Sequence, residues 1–128
     1  MPHVLVVDDD PVVADLVAFR LRRMGLEVTV ETDGQAGLAA SRELHPDLVV
    51  LDWIMPRMNG LEMCAALRAD PDESLARTPV LLLTAKAQEP DLERGFAAGA
   101  TDYIVKPFSP RELATRVTAA LPPGSVSP

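Results

Sequence analysis

Asp8, Asp9 and Asp10 stand in a row directly after the apolar run Val4–Val7, with no Lys or Arg beside them in the sequence to neutralise the charge. Further along, Asp52 follows Leu48–Leu51, Thr84 follows Val80–Leu83, and Lys106-Pro107 follows Tyr103–Val105. Carboxylates converging on one spot repel by on the order of a few kcal/mol at intermediate dielectric. A divalent cation removes that cost, and hard oxygen donors suit Mg²⁺, which shares its coordination shell with phosphate oxygens. Lys106 offers an ammonium and Thr84 a hydroxyl donor, both suited to phosphate. A carboxylate can itself accept a phosphoryl group. Together these residue types support phosphoryl transfer to an aspartate, with metal and ammonium offsetting the charge that develops.

Such chemistry requires elements that bring these residues to one edge. Five apolar runs read as strands: Val4–Val7, Glu27–Val30, Leu48–Leu51, Val80–Leu83 and Tyr103–Val105. Four are continuously apolar, as in parallel strands covered on both faces, whereas Glu27–Val30 alternates and suits a position nearer an edge. Helical spacing lies between them. Val12, Leu16 and Phe19, with Val13, Leu21 and Met24, predict one apolar helix face that Gly25 stops. Further helices are predicted over 35–44, 61–68 and 90–98, and a last one from Pro110 to about Leu121, opened by a capping box at Ser109-Pro110-Arg111-Glu112. Strand and helix alternate five times, which predicts an α/β fold, a doubly wound parallel sheet with helices on both faces. In such a sheet ligands bind outside the carboxyl ends of the strands, where the polar residues above collect.

The chain has 128 residues, which suits one domain over 1–121, followed by a flexible tail or the start of an interdomain linker over 122–128. No apolar run approaches the ~20 residues of a membrane span, and no signal segment opens the chain. The lone Cys64 excludes an internal disulfide and suits a reducing compartment, so a cytoplasmic location is expected. A net charge of −7, from 19 acidic and 12 basic residues, repels a phosphate backbone. The expectation is therefore no direct nucleic-acid binding by this chain and no membrane contact, with cations and basic partner surfaces favoured.

The segments "VLVVDDD", "DLVVLDWIMPRMNG", "PVLLLTA" and "GATDYIVKPFSPREL", in this order and spacing, resemble the receiver domain of two-component response regulators over residues 3–121. The resemblance implies a (βα)5 flavodoxin-like sheet of strand order 2-1-3-4-5. It implies that Asp52 is the phosphoacceptor and that Asp8, Asp9, Asp52 and the backbone carbonyl of Ile54 hold Mg²⁺, Asp8 largely through water. It further implies Thr84 as switch hydroxyl, Lys106 as phosphate-binding lysine, Tyr103 as switch aromatic and a cis bond before Pro107. A sensor histidine kinase or phosphotransfer protein is the implied donor. The fourth helix, fifth strand and fifth helix are the implied surface for a downstream partner or effector domain, in a monomer or a phosphorylation-promoted dimer. Such a domain is a switch that catalyses only its own phosphorylation and dephosphorylation, not an enzyme acting on other substrates. A receiver-fold interaction module that works without phosphorylation is the alternative.

Other residues carry plainer readings. Asp10 precedes Pro11 and an apolar-periodic helix, so it is expected as an N-cap. Met55, Met58 and Met63 read as loop and core filling, His3 and His45 as surface, and Cys64 as a small buried hydrophobe. Asp102, Glu112 and Arg116 resemble the charged set that joins receivers into dimers, while Leu92 and Ala98 depart from it. Two positions that tune aspartyl-phosphate lifetime in the family, two residues after the acceptor and two after the switch Thr, are here Ile54 and Lys86. Ile54 cannot hydrogen-bond an attacking water, which predicts a comparatively long-lived phosphoryl group. Stand-alone receiver and part of a longer regulator both remain open on composition.

Overall fold

The structure, a computed structural model, describes residues 1–85 and 88–122. Lys86 and nearly all of the expected tail lie outside the described residues. Element order is β1 (His3–Val7), α1 (Pro11–Arg23), β2 (Glu27–Glu31), α2 (Gly34–Leu44), β3 (Leu48–Asp52), α3 (Gly60–Arg68), α4 (Glu73–Ala76), β4 (Val80–Thr84), α5 (Glu89–Ala97), β5 (Asp102–Val105) and α6 (Pro110–Ala120). All strand pairings are parallel and the sheet order is β2-β1-β3-β4-β5. The expected fold class and strand order are both borne out. The alternating strand Glu27–Glu31 is an edge strand, and β3 and β4 are buried at every position.

Because strand side chains alternate between faces, the sheet feeds two separate cores. Val4, Val6, Val50 and Leu83 pack with Val17 and Leu21 of α1 and Leu113 and Val117 of α6. Leu5, Val7, Leu51 and Leu82 pack with Leu38 of α2 and Met63, Cys64 and Leu67 of α3 on the other face. Each fully buried aliphatic side chain contributes about 1.5–3 kcal/mol.

Two helical features differ from expectation. The face that α1 turns to the sheet is Ala14, Val17, Ala18 and Leu21. Val12, Leu16 and Phe19 point outward, 74%, 50% and 48% exposed, while Val13 and Met24 pack at the edge of the core. Small alanines let the helix approach the strands closely, and the larger stripe one turn round the helix stays in solvent. The structure also places a short helix, α4, in the connection between α3 and β4. Asp72 caps it, accepting from the backbone N–H of Ser74, and its Leu75 enters the second core. Arg68 holds this connection by donating to the carbonyls of Ala76, Thr78 and Gly99 at 3.0, 2.7 and 3.0 Å. The fourth and fifth helices expected from the sequence are thus α5 and α6.

The caps follow residue chemistry. Asp10 accepts from the N–H of Val12 and Val13, as expected of an N-cap. At α6 the structure shows the Ser109 half of the expected box, with Ser109 accepting from the Glu112 N–H. A full reciprocal box forms instead on α3, between Asn59 and Glu62.

Candidate functional site

The carboxyl ends of β1, β3, β4 and β5 meet along one edge. Asp8 follows β1 directly, and its N–H extends the ladder to the Glu31 carbonyl at 3.1 Å. Asp52 is the last residue of β3 and Thr84 the last of β4, and both side chains are buried. Lys106 follows β5, its N–H donating to the Thr84 carbonyl at 2.8 Å, and the Lys106–Pro107 bond is cis as expected. Parallel register therefore sets the spacing of the site before any side chain is placed.

Among the described residues Asp8, Asp9 and Asp52 form one acidic group, with one carboxylate oxygen from each lying within 4.8 Å of the others. The Lys106 ammonium donates to Asp52 Oδ1 at 2.8 Å and lies 3.7 Å from Asp8 Oδ2. Asp8 Oδ1 accepts from the Asp10 N–H at 2.9 Å, while Asp8 Oδ2 is buried with no hydrogen-bond partner among the described residues. Burial pushes the Asp8 carboxyl up to about 6, with the Asp52 charge adding to the rise and the Asp10 N–H and Lys106 opposing it. Burial pulls the Lys106 ammonium down, but its bond to Asp52 and the charges of Asp52 and Asp8 outweigh this, and its pKa rises overall. Among the described residues the Lys106 ammonium meets two of the three carboxylates, and one buried Asp8 oxygen is left over. A hard divalent cation fits this set, because it would satisfy the orphaned oxygen and offset the remaining charge.

The other expected residues fall around this centre. Ile54, two residues past Asp52, is 60% exposed at the rim. Tyr103 lies on β5, its ring meeting Phe96 edge-on with centroids 6.0 Å apart and the Arg116 guanidinium 5.6 Å from its centroid. Arg116 in turn grips both oxygens of Asp102 within the same chain, at 3.1 and 2.9 Å. His3 is not a bare surface residue, since its ring hydrogen-bonds Thr29 Oγ1 at 2.7 Å, whereas His45 is exposed. An apolar groove lined by Val13, Leu16, Ala85, Lys106, Pro107 and Phe108 opens beside the Lys106 ammonium.

Sequence reasoning missed two positions, 60 and 53, whose backbone anchors the chain beside Asp52. Gly60, first residue of α3, lies against the backbone of Asp52 and Trp53, and its N–H donates to the Trp53 carbonyl at 2.8 Å. A Cβ at Gly60 would collide with the Asp52 carbonyl oxygen and lie 2.9 Å from Trp53 Cα. The pair Asn59-Gly60 was legible as a turn signal, but this close approach was not. Trp53 is the second, buried with its N–H donating to the Leu83 carbonyl at 3.0 Å.

The response regulator receiver domain profile matches residues 4–118. The chain is 47% identical over 119 residues to the DNA-binding response regulator MtrA of Mycolicibacterium smegmatis, covering 93% of this chain and 50% of that protein. It is 44% identical to the DNA-binding dual master transcriptional regulator RpaA of Synechocystis, covering 94% of this chain and 49% of that one. Among solved structures, the chemotaxis protein CheY4 of Vibrio cholerae superposes with a TM-score of 0.88 at 34% identity, covering 94% of this chain and 99% of that one. The chain thus spans about half the length of the curated relatives it matches. The expectation of no direct nucleic-acid binding by this chain, drawn from the charge of −7, is overturned by relatives that are named as DNA-binding. Net charge describes long-range repulsion by this segment alone. It carries no information about a regulator twice its length. Among the described residues no helix is long and apolar enough to cross a membrane.

Proposed function

This chain belongs to the response regulator receiver domain family, and from that premise we propose that Asp52 accepts a phosphoryl group from a phosphohistidine donor and thereby switches an output. The observation that carries this reading is the convergence of Asp8, Asp9 and Asp52 with the Lys106 ammonium at the strand ends. In the transfer an Asp52 carboxylate oxygen forms a bond to phosphorus, and the bond from phosphorus to the donor imidazole nitrogen breaks. The electron pair of that bond stays with the imidazole nitrogen, which takes a proton from water so that the donor histidine leaves as the neutral ring.

Mg²⁺ bound by Asp8, Asp9, Asp52 and the Ile54 carbonyl would offset charge on the phosphoryl oxygens. Lys106 already bonds Asp52 Oδ1 and supplies a positive charge where the phosphoryl oxygens arrive. The Thr84 hydroxyl, buried at the end of β4, donates to one of those oxygens. Differential contacts of Thr84 and Lys106 with the two forms of Asp52 bias a two-state equilibrium, with Tyr103 and the α5–β5–α6 face as its readout. The domain acts as a switch, changing only its own phosphorylation state. In a regulator of the relatives' length, that state sets the activity of a DNA-binding output.

The test is phosphoryl uptake from acetyl phosphate or phosphoramidate in Mg²⁺, read by intact-protein mass. The expected result is a gain of one phosphoryl group that EDTA prevents and that Asp52→Asn abolishes. Uptake undiminished in Asp52→Asn, or no uptake by the wild type from either donor or from a phosphorylated kinase, overturns the reading.

A further inference from the structure

Trp53 is the only tryptophan and directly follows Asp52. Its backbone is held on both sides, to β4 through the Leu83 carbonyl and to α3 through the Gly60 N–H. Its side chain is 2% exposed and sits under α5. A Cβ on Gly95 would lie 3.7 Å from Trp53 Cζ3 and 3.2 Å from Leu82 Cδ1, so that helix leans on the indole and on β4. The guanidinium of Arg94 lies 5.8 Å from the indole ring centre.

The rest of α5 is weakly held. Gly95 is its one buried residue, and Gln88 at its N-cap makes no side-chain cap bond. A small apolar cavity remains beside the indole, lined by Trp53, Leu92, Phe96, Tyr103 and their neighbours. The helix therefore rests, through Gly95, on the side chain next to Asp52. Loosely packed elements of this kind are those that shift between states.

Resting on the function read above, we propose that Trp53 is a positioning residue that couples the state of Asp52 to the placement of α5, its indole acting as a wedge beneath Gly95. A change at Asp52 reaches the indole through one peptide unit, whose flanks are fixed to β4 and α3. The side chain is a route outward for the motion, and it reaches α5 at Gly95. A residue that only filled the core would hold α5 equally in both states of Asp52.

Hydrogen exchange of residues 89–97, with and without acetyl phosphate in Mg²⁺, separates the two roles. In the wild type, phosphorylation is expected to change exchange in α5. In Trp53→Leu, uptake on Asp52 is expected to stay within about threefold of wild type, while the exchange difference in α5 falls at least about threefold. Trp53→Phe, which keeps an aromatic ring under Gly95, is expected to restore part of the difference and covers the case in which the Leu variant folds poorly. Gly95→Ala keeps Trp53 intact, and is expected to shift its fluorescence and to shrink the same difference. A full-sized α5 response in both Trp53 variants overturns the coupling, as does phosphoryl uptake by the wild type with no α5 response. Failure of uptake itself overturns the function on which the coupling rests.

Discussion

Asp8 is held at odds with its own charge. Its pKa of about 6 in the folded protein stands above the ordinary 3.8, chiefly through burial. Between those values the folded state keeps a proton that the unfolded chain has lost. Metal-free stability is therefore expected to fall as pH rises from about 4 to about 6 and to level off above. Asp8→Asn removes that titration, so in EDTA at neutral pH it should raise stability by about 1–2 kcal/mol, allowing for solvent screening. Thermal unfolding in EDTA across this pH range checks both statements, and a flat wild-type profile contradicts them. The same proton competes with a cation, so apparent Mg²⁺ affinity should weaken about tenfold near pH 5, one unit below the Asp8 pKa. Ile54 is expected to act on a different step. Its exposed aliphatic side chain offers no hydrogen bond to a water approaching Asp52. Ile54→Asn supplies one, and is expected to shorten the phosphoryl lifetime about tenfold, on the scale of one positioned polar group. Decay of the phosphorylated protein after donor removal measures it, and an unchanged lifetime contradicts the role.

At the scale of elements, Asp52, the proposed phosphoacceptor, is positioned by backbone. Asp52 ends β3, its neighbour Trp53 bonds β4, and α3 starts at Gly60 with its first residue against the Asp52 carbonyl. Relief of a methyl at Gly60 would require α3 or the end of β3 to shift. Gly60→Ala is expected to cost about 1–3 kcal/mol in urea denaturation. It should also slow phosphoryl uptake from a small donor more than a surface substitution of equal stability cost would, because the displaced atoms include the backbone of the acceptor. Equal slowing in both would mean that α3 gives way and leaves Asp52 in place. Close approach of this kind leaves little trace in sequence, since a glycine after Asn59 reads equally well as an ordinary turn. The short helix α4 was hidden for another reason. Four residues give no periodicity, and its hold comes from the Asp72 cap, from Leu75 and from Arg68 reaching across three carbonyls.

Across the whole molecule, the legible part was the sheet and the chemistry at its edge. Continuous apolar runs mark the covered strands β1, β3 and β4, whereas the run at β5 proves to be a half-buried edge strand; each of the four is followed at once by the residue it delivers, so Asp8, Asp52, Thr84 and Lys106 could be placed on one edge before their distances were known. Helix faces were less legible, because apolar residues on α1 outnumber the positions that the sheet can cover. Its stripe of Val12, Leu16 and Phe19 faces solvent beside the groove that runs past Lys106, and Leu16 lines both. An exposed apolar stripe beside the groove that Lys106 lines fits a protein surface that would bring a phosphohistidine to Asp52, the proposed acceptor. A small phosphodonor needs no such surface. Leu16→Glu is therefore expected to slow transfer from a phosphorylated protein donor about tenfold, the effect of losing one well-buried interface contact. Uptake from acetyl phosphate should stay nearly unchanged, because Leu16 is half exposed on α1 and is not itself among the charged groups that meet at Asp52. Thermal stability should stay within about 0.5 kcal/mol of wild type, as for other exposed positions. Equal slowing with both donors would place the defect at the aspartyl site, and unaltered rates with both would leave the stripe no part in transfer.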